Sequence, residues 1–208
     1  MDFILNPENF EAEYLHFLNE CFSGWGDGIT YKWVYRRNME LASSDIFLIE
    51  EDRNIIAGSA LTYRYIQFPG GKKCVIGTMT GSWTLPQARG KGCFTEIIRY
   101  SGNLIAEHDY DFLTAYVTEQ NASYRRLKSE GSYLINTYYV RSGVNAHTVT
   151  TLHFEEIETT EATLLYLYNL RKESSAGSIH YAYDFESFVT QFVNRPNTKI
   201  ILLKQNEN

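Results

Sequence analysis

The stretch Ser82-Trp83-Thr84-Leu85-Pro86-Gln87-Ala88-Arg89-Gly90-Lys91-Gly92-Cys93-Phe94 constrains the fold more than any other part of the chain. A β-prone run ends at a proline, passes through a turn holding two glycines, and opens an amphipathic helix. The apolar side of that helix is Phe94, Ile97, Ile98, Leu104 and Ile105. Gly90 and Gly92 lack side chains, so the backbone can come close to a ligand there. The amides of the turn sit at a helix N-terminus, whose partial positive charge favours phosphate oxygens. Arg89 and Lys91 add two cations. A pyrophosphate is the natural occupant, although an ordinary helix start has the same local composition. Two other phosphate motifs fail. Gly92 is followed by Cys93 where GxxxxGK[ST] needs lysine, and Thr95 stands where GxGxxG needs its third glycine.

The flanking sequence supplies an element order. Phe10, Tyr14, Phe17, Leu18 and Cys21 form one stripe of a helix over residues 8–22. The GWGDG segment at 24–28 breaks it, and Thr30 is the expected cap of a second short helix through Trp33, Val34 and Arg37. DIFLIEE and NIIAGSALTYRYIQF read as a hairpin around Asp52-Arg53-Asn54, and Pro69-Gly70-Gly71 leads into a third strand, KCVIGTMTGSWTL. After the glycine turn come its helix, a buried strand FLTAYV (112–117), a helix NASYRRLKSE stopping at Gly131, and two strands, YLINTYYVRSG and TVTTLHFEEIE. Residues 1–156 therefore read as one α/β domain with a mixed sheet. Residues 157–208 read as a C-terminal helical extension: a helix through Leu164, Leu167 and Tyr168, the loop KESSAGS, a second helix through Phe185, Phe188 and Phe192, then the strand KIILLK. That last strand could dock on the first sheet, open a second similar unit, or pair with a second copy in a homodimer.

Composition narrows the function classes. With 208 residues, 44% hydrophobic and 15% aromatic, the chain can bury a sizeable core. No apolar run reaches the roughly 18 residues of a membrane span, and MDFILNPENFEAEY has no basic segment before its apolar patch, unlike a signal peptide. The net charge of −6 argues against a nucleic-acid-coating surface. Cys21, Cys74 and Cys93 show no metal spacing and fit reduced thiols in a cytoplasmic protein; the five histidines are scattered, so no metal is expected.

The pattern Gln87, Gly90, Gly92 after a strand ending in proline, the element order over residues 1–156, and the asparagine-led helix from Asn121 to Gly131 together resemble the GNAT N-acetyltransferase superfamily. The resemblance implies a GNAT acyl-CoA N-acyltransferase fold, acetyl-CoA (coenzyme A) as cofactor, and direct acetyl transfer to a primary amine of a small molecule or amino-sugar. The alternative is a non-catalytic GNAT-like module that binds coenzyme A, or half of a tandem protein. By resemblance, the backbone of Trp83, Thr84 and Leu85 would pair with the pantetheine arm. Amides of Arg89, Gly90, Lys91, Gly92 and Cys93 would hold the pyrophosphate, with Gln87 shaping the turn. Asn121 would contact pantetheine or cap its helix. Arg125, with Arg126 or Lys128, would meet the 3′-phosphate. Leu85 N–H is the implied oxyanion donor. The superfamily's acid is a tyrosine four residues before the helix-ending glycine, where this chain has Leu127; Tyr124 is the substitute. Glu119, Glu50 and Asp27 are the candidate bases. Trp25, Tyr31, Trp33, Tyr63 and Tyr65 suggest either an aromatic acceptor entrance or plain core. Cys93, at a helix N-terminus between cations, is expected to have a lowered thiol pKa.

Overall fold

The structure, a computed structural model, describes residues 1–37, 39–41, 44–136 and 152–205. Its first strand, β1 (Asp2–Leu5), precedes α1 (Glu11–Phe22) and α2 (Gly28–Tyr35). Three long strands follow: β2 (Asp45–Glu51), β3 (Asn54–Gln67) and β4 (Lys73–Thr84). After a 3-10 turn at Pro86–Ala88 come α3 (Cys93–Glu107), β5 (Phe112–Thr114) and α4 (Ala122–Ser129). The chain closes with β6 (Leu152–Glu156), α5 (Glu161–Ser175), β7 (His180–Ala182), α6 (Phe185–Phe188) and β8 (Ile201–Gln205).

The main sheet runs β1-β2-β3-β4-β5, antiparallel except for the parallel β4–β5 pair. The β2–β3 hairpin turns through Asp52 and Arg53, both at positive φ (51° and 64°), the geometry of a tight two-residue turn whose twist matches its strands. β3 is the spine. Its first half pairs with β2 and its last three residues pair with β7 along the same edge, while β4 takes the other edge. Side chains alternate across it. Ala57, Leu61 and Tyr63 enter a core with Ile97, Leu104 and Ile105 of α3 and Leu127 of α4. Ala60 enters a second core with Tyr14 and Leu18 of α1 and Tyr31 and Tyr35 of α2.

Several sequence expectations need correction. The apolar patch at the N-terminus is a strand, because β2 offers it a free edge from Leu5↔Phe47 to Asp2↔Glu50. The cap of α2 is Asp27, not Thr30: Asp27 Oδ1 accepts from both the Thr30 N–H and hydroxyl at 2.8 Å. The strand expected at 112–117 ends at Thr114. Of the strand expected from Tyr133, residues 133–136 carry no regular structure and the rest falls outside the described residues. The strand at 201–205 pairs antiparallel with β6 in a separate two-stranded sheet, not with the main sheet. What joins the main sheet from the C-terminal part is β7, which lies between the expected loop KESSAGS and the expected second helix, where the sequence signals no element. This part also touches α2, where Trp33 Nε1 donates to Thr190 O at 3.0 Å, and the Glu40 N–H donates to Ser187 Oγ at 3.0 Å.

Candidate active site

β4 and β5 pair over only three positions, Ile76↔Phe112, Gly77↔Leu113 and Thr78↔Thr114. β5 then ends while β4 continues to Thr84, so the strands part and one edge of β4 is left open. A bulge sharpens the separation. The β3–β4 register passes from Ala60↔Thr80 to Gly58↔Trp83, leaving Gly81 and Ser82 opposite Ser59 alone. Gly81 has φ +61°, and a Cβ there would run into the Tyr35 hydroxyl, so glycine is required on two counts. Beyond the bulge, Trp83 and Leu85 turn into the α1–α2 core.

This geometry overturns one expected role. The Leu85 N–H donates to Ile56 O at 2.9 Å and is not free to stabilise an oxyanion. Strand alternation turns the backbone of Thr84 to the opposite edge, where its carbonyl accepts from Cys21 Sγ at 3.6 Å. The bulged pair Gly81–Ser82, with one residue out of the ladder, is the irregular backbone on that open stretch.

The glycine turn follows directly. Gly90 (φ 83°) and Gly92 (φ 87°) are both left-handed, and a Cβ on either would meet no atom within 4 Å, so the space beside them is open. Gly92 caps α3, and the Thr95 and Glu96 amides bond back to its carbonyl at 2.9 and 3.2 Å. The Arg89 amide turns inward to Pro86 O (3.3 Å) and the Lys91 amide to Ala88 O (3.4 Å). Among the described residues, the amides of Gly90, Gly92, Cys93 and Phe94 have no acceptor within the protein. These four amides and the exposed Arg89 side chain fit a pyrophosphate. Lys91 is engaged elsewhere, its Nζ ion-paired with Glu51. Gln87 is exposed. The Cys93 expectation is reversed: burial pushes its thiol above the ordinary value, and Sγ lies 3.8 Å from Ala88 O. Desolvation of a thiolate outweighs the helix terminus here.

On the α1–α2 side of the sheet, hydroxyl groups cross from β3 to β5. Thr62 Oγ1 lies 3.1 Å from Thr80 Oγ1, the Thr80 hydroxyl donates to Thr78 O at 3.0 Å, and Thr78 Oγ1 lies 3.0 Å from Thr114 Oγ1. At the rim, the hydroxyls of Tyr116 and Tyr181 are 2.5 Å apart. Burial, then the neighbouring Tyr116 hydroxyl, holds the Tyr181 phenol well above its ordinary pKa, so it is protonated at neutral pH. Sequence reasoning missed this strip. The alternate threonines at 78 and 80 were visible, but nothing local placed Tyr181 beside them.

The remaining candidates scatter. Asn121 caps α4, its Oδ1 accepting from the Ser123 N–H at 2.9 Å. Tyr124 is half-buried on that helix, and Arg125 is exposed. Leu127 is core. Glu119 is exposed in the turn before Asn121. Glu50 lies on β2, separated from β4 by β3. Asp27 is engaged as the cap of α2, and its bonds from the Thr30 backbone and side chain hold its carboxyl below the ordinary range. The aromatic entrance dissolves: Tyr31 and Tyr63 are buried, Trp25 stacks on Tyr35, and Trp33 is bonded to Thr190. Among the described residues, no group of three His, Cys, Asp or Glu side chains could hold a metal ion, and no helix is long and apolar enough to cross a membrane.

No family model matches the chain, and no curated protein is detectably similar in sequence. Solved structures are similar. A ribosomal-protein-alanine N-acetyltransferase from Brucella melitensis biovar Abortus 2308 is 12% identical with a TM-score of 0.54, covering 69% of this chain and 100% of its own. An aminoglycoside 6′-N-acetyltransferase, AAC(6′)-Iy, in complex with the bisubstrate analogue CoA-S-monomethyl-acetylneamine, is 12% identical with a TM-score of 0.55, covering 69% and 98%. A transcriptional regulator from Bacillus halodurans C-125 is 11% identical with a TM-score of 0.53, covering 69% and 99%. At such identities the likeness is one of fold, and the fold is that of the GNAT acetyltransferases.

Proposed function

We propose that the chain is a coenzyme A-dependent N-acetyltransferase acting on a primary amine of a small polar molecule such as an amino-sugar. The observation that carries this reading is the open edge of β4 running straight into a turn with four unpartnered amides. One side can take a pantetheine-like arm and the other a pyrophosphate. The complex of a similarly folded enzyme with a coenzyme A–neamine analogue supports the same pairing of ligands.

The amides of Gly90, Gly92, Cys93 and Phe94 hold the pyrophosphate and Arg89 screens its charge. Thr84 lies along the pantetheine with its backbone as the pairing group, while Trp83, expected beside it, stays in the core with its backbone paired to β3. Gln87 and Asn121 shape the turn and the helix end beside it. Arg125 is the cation available to a 3′-phosphate. When bound, acetyl-coenzyme A supplies the acetyl thioester. A bulge amide at Gly81–Ser82 takes the oxyanion role that Leu85 is too well bonded to fill. Tyr124 supplies the proton for the departing thiolate, and Glu119, three residues past Tyr116, draws the proton from the acceptor ammonium through water. The threonine strip with Tyr116 and Tyr181 faces the acceptor, whose hydroxyls it can bind.

Calorimetric titration of acetyl-coenzyme A into wild type, Gly90→Asn and Gly90→Asp tests the reading. Asparagine tolerates positive φ and matches aspartate in size, so the Asp–Asn difference isolates charge. Binding by wild type and Gly90→Asn, weakened at least about tenfold further in Gly90→Asp, supports it. No wild-type binding overturns it. Binding without thiol release across an amine panel favours the non-catalytic reading instead.

A further inference from the structure

A cleft open to solvent lies at the Lys73 end of β4, between α5 and β7. It measures about 340 Å³ and is lined by Lys73, Arg171, Lys172 and His180 together with Gln67 and Ser175. Lys73 opens β4 and Thr84 closes it, so the Lys73 end of the cavity lies roughly 35 Å along that strand from the glycine turn, while Tyr181 lines its other side. Its cations come from separate elements, α5 and the start of β4, with β7 forming the floor.

The way these cations are held is informative. Lys73, Arg171 and Lys172 each sit over an aromatic ring, and Lys73 also faces a carboxylate. Lys73 Nζ is 5.1 Å from the Tyr65 ring centre, and Lys172 Nζ is 5.3 Å from that of Tyr168. The Arg171 guanidinium is 4.9 Å from the Phe192 ring centre and 5.5 Å from that of Tyr183. Among the described residues the carboxylate paired with any of them is Glu40, 3.9 Å from Lys73. Arg64, 8% exposed and adjacent to Tyr181 and Tyr183, adds a fourth cation behind β7. Rings fix the position of a cation without neutralising it. A chain of net charge −6 thus keeps a preoriented cationic cavity in which, among the described residues, Arg171 and Lys172 have no paired carboxylate, and its size takes small ligands.

We infer that this cavity is a binding site for the dianionic phosphate of a small phosphomonoester, separate from the proposed coenzyme A site. Arg171, Lys172 and Lys73 converge on the phosphate oxygens. His180 Nδ1 donates to Ser178 O at 2.9 Å, which leaves Nε2 as an acceptor for a hydroxyl of the ester. Gln67 remains for neutral hydroxyls of the ester, and the Ser175 hydroxyl, which donates to Arg171 O at 2.8 Å, can still accept from one.

The test is calorimetric titration of the full chain with ribose 5-phosphate, with inorganic phosphate and free ribose as comparison probes. Lys73→Gln and Lys172→Gln remove one charge each on different elements and keep the side-chain stems, and circular dichroism checks their folding. The expected result is salt-sensitive binding of ribose 5-phosphate, weakened about threefold by each substitution and about tenfold by both, and unchanged in Gly90→Asp. Binding of inorganic phosphate with equal affinity places the recognition in the phosphate alone and still supports the site. Absence of binding overturns the proposal, as does binding indifferent to both lysines, binding abolished by Gly90→Asp, or equal binding of free ribose.

Discussion

The phenol oxygens of Tyr116 and Tyr181 lie 2.5 Å apart although 65 residues separate them in the chain. The contact joins the end of β5 to β7, so the C-terminal part supplies one side of the hydroxyl strip next to the open edge of β4. Under the proposed function, acceptor binding and proton delivery fall to different tyrosines. Tyr181→Phe is expected to raise KM for the amine severalfold with little change in kcat. Tyr124→Phe is expected to lower kcat by about 100-fold with KM for the amine nearly unchanged. Steady-state kinetics on both variants checks the division, and a kcat loss confined to Tyr181→Phe would transfer the acid role to it.

Gly58 admits no side chain. A Cβ there would stand 2.7 Å from Trp83 Cζ2, 2.9 Å from Cε2 and 3.1 Å from Leu48 Cδ2, and the indole is enclosed by Tyr14 and Phe17. Gly58→Ala should cost about 1–3 kcal/mol, the usual range for overpacking a filled core. Urea unfolding would show a lower midpoint at unchanged slope.

Asp45 ties three elements together. Its Oδ1 accepts from Asn6 Nδ2 at 2.8 Å, and its Oδ2 accepts from the Tyr63 hydroxyl at 2.6 Å and from His108 Nε2 at 2.8 Å. Burial raises its pKa, but the bonds from Asn6, Tyr63 and His108 and the charge of His108 outweigh it, and the carboxyl lies below its ordinary value. A carboxylate with a lowered folded pKa contributes stability that is present above the unfolded value near ~4 and lost as pH falls through the folded one. Asp45→Asn should therefore destabilise by about 1–2 kcal/mol at neutral pH and flatten the acid limb of the stability profile. Denaturant midpoints between neutral and acidic pH, wild type against variant, measure both effects.

Cys93 should be a slow thiol despite its place at the start of α3. Burial holds it protonated at neutral pH, and it is 2% exposed. In a Cys21→Ser/Cys74→Ser background, alkylation of the folded protein should run at least about tenfold slower than that of the unfolded chain. Equal rates would mean that the helix terminus, not burial, governs this thiol.

Much of the fold was legible in sequence because its signals are local. The stripe through Tyr14 and Leu18, the hairpin at Asp52-Arg53 and the proline–glycine turn into α3 each depend on periodicity or on backbone conformations that few residues adopt. The glycine turn was readable for the same reason, since the positive φ at 90 and 92 favours glycine. Tertiary structure alone decided which amides remained free. Leu85 and Thr84 are neighbours in a strand, yet one N–H is bonded to Ile56 while the other points to the opposite edge, a difference set by the bulge at Gly81 and the partner on each side. It likewise decided that three-residue β7, too short to show a period, would fill the remaining edge of β3 and bring Tyr181 to Tyr116. Local dihedral preference acts within a few residues and is written in the chain. Edge pairing, desolvation and the meeting of distant hydroxyls depend on what the rest of the chain leaves uncovered.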